Sequence, residues 1–193
     1  MLKSMAEMTL REAIGGRCSV RGYSAENLER HTIEALLAAA VRAPTAMHAE
    51  PWLFVVVQDL VKLKRLSDCV KAALAKDRQL HPAHHHPDIF LQPDFNVFYD
   101  AGTLVIICAN SKSSFAQADG WLAAENLMLF AHSIQLGTCV IGSAVEVLNM
   151  PEMKVEFNIP SASMVIAPII VGKPRGETGT SARKAPQVLA WFS

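Results

Sequence analysis

Residues 115–137 read FAQADGWLAAENLMLFAHSIQLG, a stretch whose apolar side chains are nearly continuous and are interrupted chiefly by Glu125, Asn126 and His132. The spacing predicts one long helix from Phe115 to Leu136, with Gly137 at the left-handed position after its last turn. An ordinary surface helix hides one stripe. A helix that is apolar on most sides belongs in the centre of a fold or in a subunit interface.

Working outward, Thr103 to Cys108 reads as a buried strand before this helix, and Thr138 to Ser143 as a short apolar turn after it. Pro151 begins a small helix to about Phe157. Ser163 to Val171 is the last strand, in which Pro168 must sit at an edge or a bulge because it has no N–H to donate. Upstream, Ile33, Leu36, Leu37, Ala40 and Val41 recur at spacings of three and four, predicting a helix over Asn27 to Arg42 that Pro44 stops. Pro51 leads into the strand Leu53 to Val57, and Asp59 caps a helix that carries Leu63, Leu66, Val70 and Leu74 on one face. Helices and strands alternate around a single sheet.

The chain has 193 residues, 51% hydrophobic and 19% charged, so residues 1–193 are expected to form one domain with a sizeable core. Lys plus Arg and Asp plus Glu both number 18, giving zero net charge, which excludes a general nucleic-acid or polyanion binder. Any anion must be gripped locally. The four cysteines lie far apart without a Cys-x-x-Cys pair, and no apolar run is long enough to span a membrane or direct export. A reducing, cytoplasmic setting is expected.

Three stretches carry candidate chemistry. Arg17-Cys18-Ser19-Val20-Arg21 places two guanidiniums and a hydroxyl on alternate positions, so an extended backbone points all three one way, as a terminal phosphate requires. Alone, it fits a solvated basic loop equally well. Pro44-Thr45-Ala46-Met47-His48, followed by Glu50-Pro51-Trp52, gives small residues that let backbone approach a flat ligand and a polarizable Met47 to face a ring. Leu136 to Ser143, LGTCVIGS, brackets an apolar run with glycines that can present backbone N–H groups. Each of these last two, taken singly, also fits a plain connecting loop or a buried turn.

In this order and with these separations, the three stretches resemble the nitroreductase family of FMN-dependent oxidoreductases. The likeness extends through the Pro51-Trp52 pair, the long helix, the Val171-Gly172-Lys173-Pro174 segment and the closing Arg183-Lys184 ahead of Trp191. It implies an α+β fold with a central, mainly antiparallel sheet flanked by helices, in an intertwined homodimer with FMN at the subunit interface. It further implies that Arg17 and Ser19 hold the FMN phosphate, joined by Arg183 and Lys184. Arg21 would face the N1 and O2 edge of the flavin. Pro44, Thr45, Ala46, Met47 and His48 would line ribityl and ring, and Val140, Ile141, Gly142 and Ser143 would lie toward N5, with Cys18 within the phosphate segment. The implied activity passes a hydride from NADH or NADPH through the flavin to a nitroaromatic, quinone or similar small acceptor by a ping-pong mechanism. The flavin supplies the redox chemistry, so no side chain need act as acid or base. Alternatives are an FMN-binding protein with little turnover, or a dehalogenase or flavin-cleaving enzyme on the same scaffold.

His48 and Glu50 stand where the family commonly has Asn and Gln, and Ser143 where it often has Gly. A carboxylate near a reduced flavin adds Coulomb repulsion unless it points away or is paired. Between His81 and Pro93 the chain becomes an exposed His- and Pro-rich excursion, expected to be a lid or loop near the site mouth rather than a metal centre. Cys18 is expected to face the core, opposite the arginines, and Cys139 to serve packing.

Overall fold

Asp59 opens a 21-residue helix as its position predicts, its carboxylate accepting the Val61 and Lys62 N–H groups at 2.9 and 3.1 Å. This holds in the computed structural model of the chain, which describes residues 8–24, 26–81, 88–110, 113–179 and 181–193. His84, His85 and His86 lie outside the described residues. The chain order is α1 (Leu10–Gly16), α2 (Arg30–Ala40), β1 (Trp52–Val57), α3 (Leu60–Leu80), β2 (Thr103–Ala109), α4 (Ala116–Ser133), β3 (Gly137–Val140), α5 (Ala144–Leu148), α6 (Pro151–Glu156) and β4 (Met164–Gly172).

The four strands form one sheet in the order β1-β2-β4-β3, with every neighbouring pair antiparallel. Each face of the sheet carries its own core. On β2, Leu104, Ile106 and Cys108 join one cluster with α3 residues such as Leu66 and Val70, while Val105, Ile107 and Ala109 join a second with α2 and α4. Burial on both faces is why β2 reads as unbroken apolar sequence instead of alternating. The fold is therefore α+β, a central antiparallel sheet between helical layers.

Pro168 lies in an interior strand, one position beyond the last β3–β4 pair, Val140 with Ile169. Its carbonyl accepts the Ile141 N–H at 2.8 Å, so its ring nitrogen faces the same side, where β3 has given out and no donor is needed. A bulge stands two residues away. Ile107 pairs with Ala167 but Cys108 with Val165, leaving Ile166 extra, and Ile166 and Ala167 both turn to the second core.

Three readings change. The segment from Thr138 is a strand, not a turn: Gly137 to Val140 pair with β4, and the turn begins only at Ile141. α4 ends at Ser133, earlier than Leu136, because Gln135 takes the left-handed conformation (φ 64°) expected of Gly137. Leu136 N–H bonds the Ala131 carbonyl at 2.8 Å and Gln135 N–H that of His132 at 2.9 Å, which closes the helix two residues sooner. Gly137 has a different reason to be glycine: a Cβ there would lie 2.7–2.9 Å from all three carbons of the Val20 isopropyl group. Finally, α4 is buried on one face only. Trp121 and Leu122 are 41% and 46% exposed, so the apolar surplus of this helix has no cover among the described residues. The short helices α1, with a Thr9–Glu12 capping box, and α5 had no periodic signal long enough to read.

Candidate functional site

The outer edge of β3 receives the segment that follows α1. Ser19 bridges Thr138, Val20 N–H donates to the Thr138 carbonyl at 2.9 Å, and Arg175 N–H reaches the Gly22 carbonyl at 2.9 Å. Alternation then sorts the side chains. Val20 enters the core and Cys18 packs against it, while Ser19 and Arg21 are exposed. Tyr23, buried, locks the turn by donating its hydroxyl to the Val20 carbonyl at 2.8 Å.

Arg17 behaves differently from Ser19 and Arg21. Its side chain is only 18% exposed, and its Nε lies 3.4 Å from Glu125 Oε1 on α4. It also faces His132, whose imidazole is held below its ordinary pKa first by burial and then by this guanidinium. Arg17, His132, Thr138 and Glu177 line a cavity of about 510 Å³. A second cavity of about 280 Å³ adjoins Ser19, Arg21 and Arg175.

A third, of about 170 Å³, joins Arg21 to Val140, Ile141, Gly142 and Ser143 and is walled by Tyr99 and Phe90. The Tyr99 phenol is raised above its ordinary range by burial, opposed by the nearby Arg21 guanidinium. Burial likewise raises the Cys139 thiol, which therefore stays protonated and serves packing. Phe90, Phe95 and Tyr99 form a chain of ring contacts with centroids 5.4 Å apart at each step. Tyr99 and Asp100 both have positive φ, 51° and 60°, in a turn that the Asn96 side chain ties to Phe98 N–H and Asp100.

The structure thus brings Arg21 together with Val140, Ile141, Gly142 and Ser143, while Arg17 and Ser19 line two separate cavities that Cys18 adjoins. It places Pro44, Thr45, Ala46, Met47 and His48 elsewhere. That loop stands near the start of α4, where Ala46 N–H donates to Asp119 Oδ1 at 3.1 Å, and it lines none of the three cavities. Met47 is 94% exposed; Met47, His48 and Glu50 have φ of 54°, 51° and 43°. Arg183 and Lys184 lie in the exposed stretch 181–193 and line none of these cavities either. Tyr99, Phe90, Arg175, Glu125 and Asp119 were missed from sequence. A tyrosine before a strand or a charge within a helix carries no local sign of what it will face.

Among the described residues, no group of three or more His, Cys, Asp or Glu is placed to hold a metal ion.

The sequence model described as Nitroreductase family matches residues 14–173. A protein of Archaeoglobus fulgidus, with the provisional name NADH dehydrogenase/NAD(P)H nitroreductase, is 27% identical over 166 residues, 83% of each chain. The solved nitroreductase with bound FMN from Bacteroides fragilis superposes with a TM-score of 0.81 at 26% identity, covering 95% of this chain and 98% of that one. Oxidised iodotyrosine deiodinase, bound to FMN and 3-iodo-L-tyrosine, shares the fold at a TM-score of 0.72 and 20% identity, over 95% and 100% of the two chains.

Proposed function

The chain belongs to the nitroreductase family, and from that premise we propose that it is an FMN-dependent oxidoreductase acting on a small oxidised acceptor. The observation that carries this reading is the cationic edge of β3. A chain with zero net charge sets Ser19 and Arg21 at the outer edge of β3, beside a turn at Ile141 to Ser143, with Arg17 just before them at the end of α1.

The residues present fit the cofactor. A phosphate of roughly −2 charge calls for a local concentration of donors, which Arg17 and the Ser19 hydroxyl provide. Glu125 takes only one edge of the Arg17 guanidinium, leaving further N–H donors for an anion. Arg21, which lines one cavity with Tyr99, would supply a positive charge where a reduced flavin would gather negative charge. FMN bound there would supply hydride transfer from NADH or NADPH to a nitroaromatic, quinone or similar acceptor in alternating half-reactions. The protein orients and supplies field, without an acid or base of its own.

The working unit is a homodimer in this reading. The Thr45–His48 loop and Arg183 with Lys184 lie away from the protomer's own cavities and are supplied to the site by a second copy. Exposed Trp121, Leu122, Leu189, Trp191 and Phe192 provide the apolar surface that such a pairing would cover. The described cysteines are all free, which suits a cytoplasmic location, and among the described residues no helix is long and apolar enough to cross a membrane. Residues 1–193 then act as one domain.

The test is direct. The purified protein should be yellow, and NADH or NADPH added without oxygen should bleach the flavin absorbance, which a nitroaromatic or quinone then restores. A protein that binds no FMN, or whose bound flavin neither cofactor reduces, would overturn the reading. Bleaching without nitro or quinone turnover would point to the dehalogenase-type alternative.

A further inference from the structure

Asp119 sits where a charge is least expected. It lies in the first turn of α4, 3% exposed, on the face that otherwise carries Ala116, Gly120, Ala123, Ala124 and Leu127 into the core. One carboxylate oxygen accepts the Ala46 N–H across 73 residues of chain, while the other, Oδ2, is buried with no hydrogen-bond partner. The positive end of the α4 dipole eases the charge without giving Oδ2 a donor. A buried acceptor left unpaired is costly, so the carboxylate must do something that an apolar residue there cannot.

What it touches opens the densest run of left-handed backbone among the described residues. Three of the four residues Met47 to Glu50 lie in the left-handed region, and none is glycine. Left alone, such a loop relaxes; it persists only where its surroundings over-determine it. The described ties are few. Ala49 N–H closes a turn on the Ala46 carbonyl at 3.0 Å, Glu50 N–H reaches Thr45 Oγ1 at 3.4 Å, and the Pro51 carbonyl accepts the Asn110 N–H at 2.8 Å. Among the described residues, Asp119 is the side chain from another element that grips the loop backbone, and it does so at the residue that begins the turn.

We propose that Asp119 is the positioning residue of the Thr45–Glu50 loop: by fixing the Ala46 N–H it holds Met47 and His48 in the strained conformation that presents them outward to the flavin of a second copy. The part concerning the flavin rests on the reading given under Proposed function. The grip on the loop does not. Asn at 119 keeps the acceptor and puts its amide where Oδ2 already lacks a partner, so it should serve nearly as well as Asp. Ala removes the acceptor altogether.

The experiment compares the full-length protein with Asp119→Ala and Asp119→Asn, well below their melting temperatures. Hydrogen exchange over residues 45–50 is measured without FMN, and FMN affinity by fluorescence titration. Asp119→Ala should speed exchange of the loop amides about tenfold and weaken FMN binding about tenfold, the effect of losing one hydrogen bond of ordinary strength. Asp119→Asn should restore both to within about threefold. Unchanged exchange in Asp119→Ala, or an Asn variant as impaired as the Ala variant, would overturn the proposal. Should Asp119→Ala not fold, Ala46→Pro deletes the donor instead and must reproduce the loosened loop. If the parent protein takes up no FMN, the functional reading falls, while the exchange comparison still decides the role of Asp119.

Discussion

The two stretches proposed to build the site are made in opposite ways. The segment Arg17 to Arg21 is laid against β3 by backbone hydrogen bonds and locked by Val20 and Tyr23, so its side-chain directions follow from sheet geometry. The loop Thr45 to Glu50 has no strand to lean on. It departs from the favoured backbone regions at three residues and is held by one buried carboxylate. The first stretch is rigid because it lies along the sheet edge; the second holds a costly shape that no covering contact among the described residues rewards. A site assembled this way has a fixed wall and a presented wall.

The sharpest way to break this contrast is at the fixed wall. Arg17→Ala should lower FMN affinity about ten- to a hundredfold, the loss of a charge-assisted contact of about 1.5–3 kcal/mol, read by titration. An unchanged affinity would remove Arg17 from the site. Next, Gly137→Ala forces a methyl against Val20, on the rigid β3 edge where neither backbone can retreat. Overpacking of this kind costs about 1–3 kcal/mol and should appear as a lower denaturation midpoint together with weaker FMN binding.

Met47→Ala probes the presented wall and should do the reverse. With 94% of its surface exposed, Met47 can be truncated with a stability change within about 0.5 kcal/mol. FMN affinity should fall by a few-fold, since a sulfur–aromatic contact is worth about 0.3–1.5 kcal/mol. If stability falls instead, the loop belongs to its own core and the contrast is wrong. The smallest effect concerns pH. His132 beside Arg17 has its folded pKa held below the ordinary value of 6.5, so the unfolded chain binds the proton more readily. Its contribution to stability is whole above that ordinary value and is lost as pH falls toward the folded one. Melting temperatures taken between pH 7.5 and 5.5 should drop more in the parent than in His132→Gln.

Legibility in the sequence followed the same divide. β2 and β4 could be read because burial on both faces leaves apolar runs, β1 because its residues are apolar and rich in β-branched types although it lies half-exposed at the sheet edge, and α2, α3 and α6 because periodicity or a cap marks them. The alternation of Cys18, Ser19, Val20 and Arg21 followed from an extended backbone, whereas Arg17, at the end of α1, turns to Glu125 instead of joining Ser19 and Arg21. β3 was taken for a turn since four residues between glycines look the same either way until a partner strand is known. The end of α4 was misplaced because Gln135, against its type, took the left-handed position. Asp119 and Tyr99 stayed hidden, because what a side chain faces is settled by elements distant in the chain. The family resemblance reached further than pattern alone, naming loops whose roles no local rule could assign.

Pro168 carries a consequence for how far the sheet can zip. A residue with an amide hydrogen at that place would offer β3 one more rung, drawing the chain past Ile141 into continued pairing and tying up the main chain of Gly142. The imino ring refuses that rung. It works as a stop on the ladder, and the chain turns into α5 instead, the Ile141 and Gly142 carbonyls accepting the Ala144 and Val145 N–H groups at 3.0 and 3.1 Å, so Pro168→Ala is a change in sheet length whose effect would be felt one strand away.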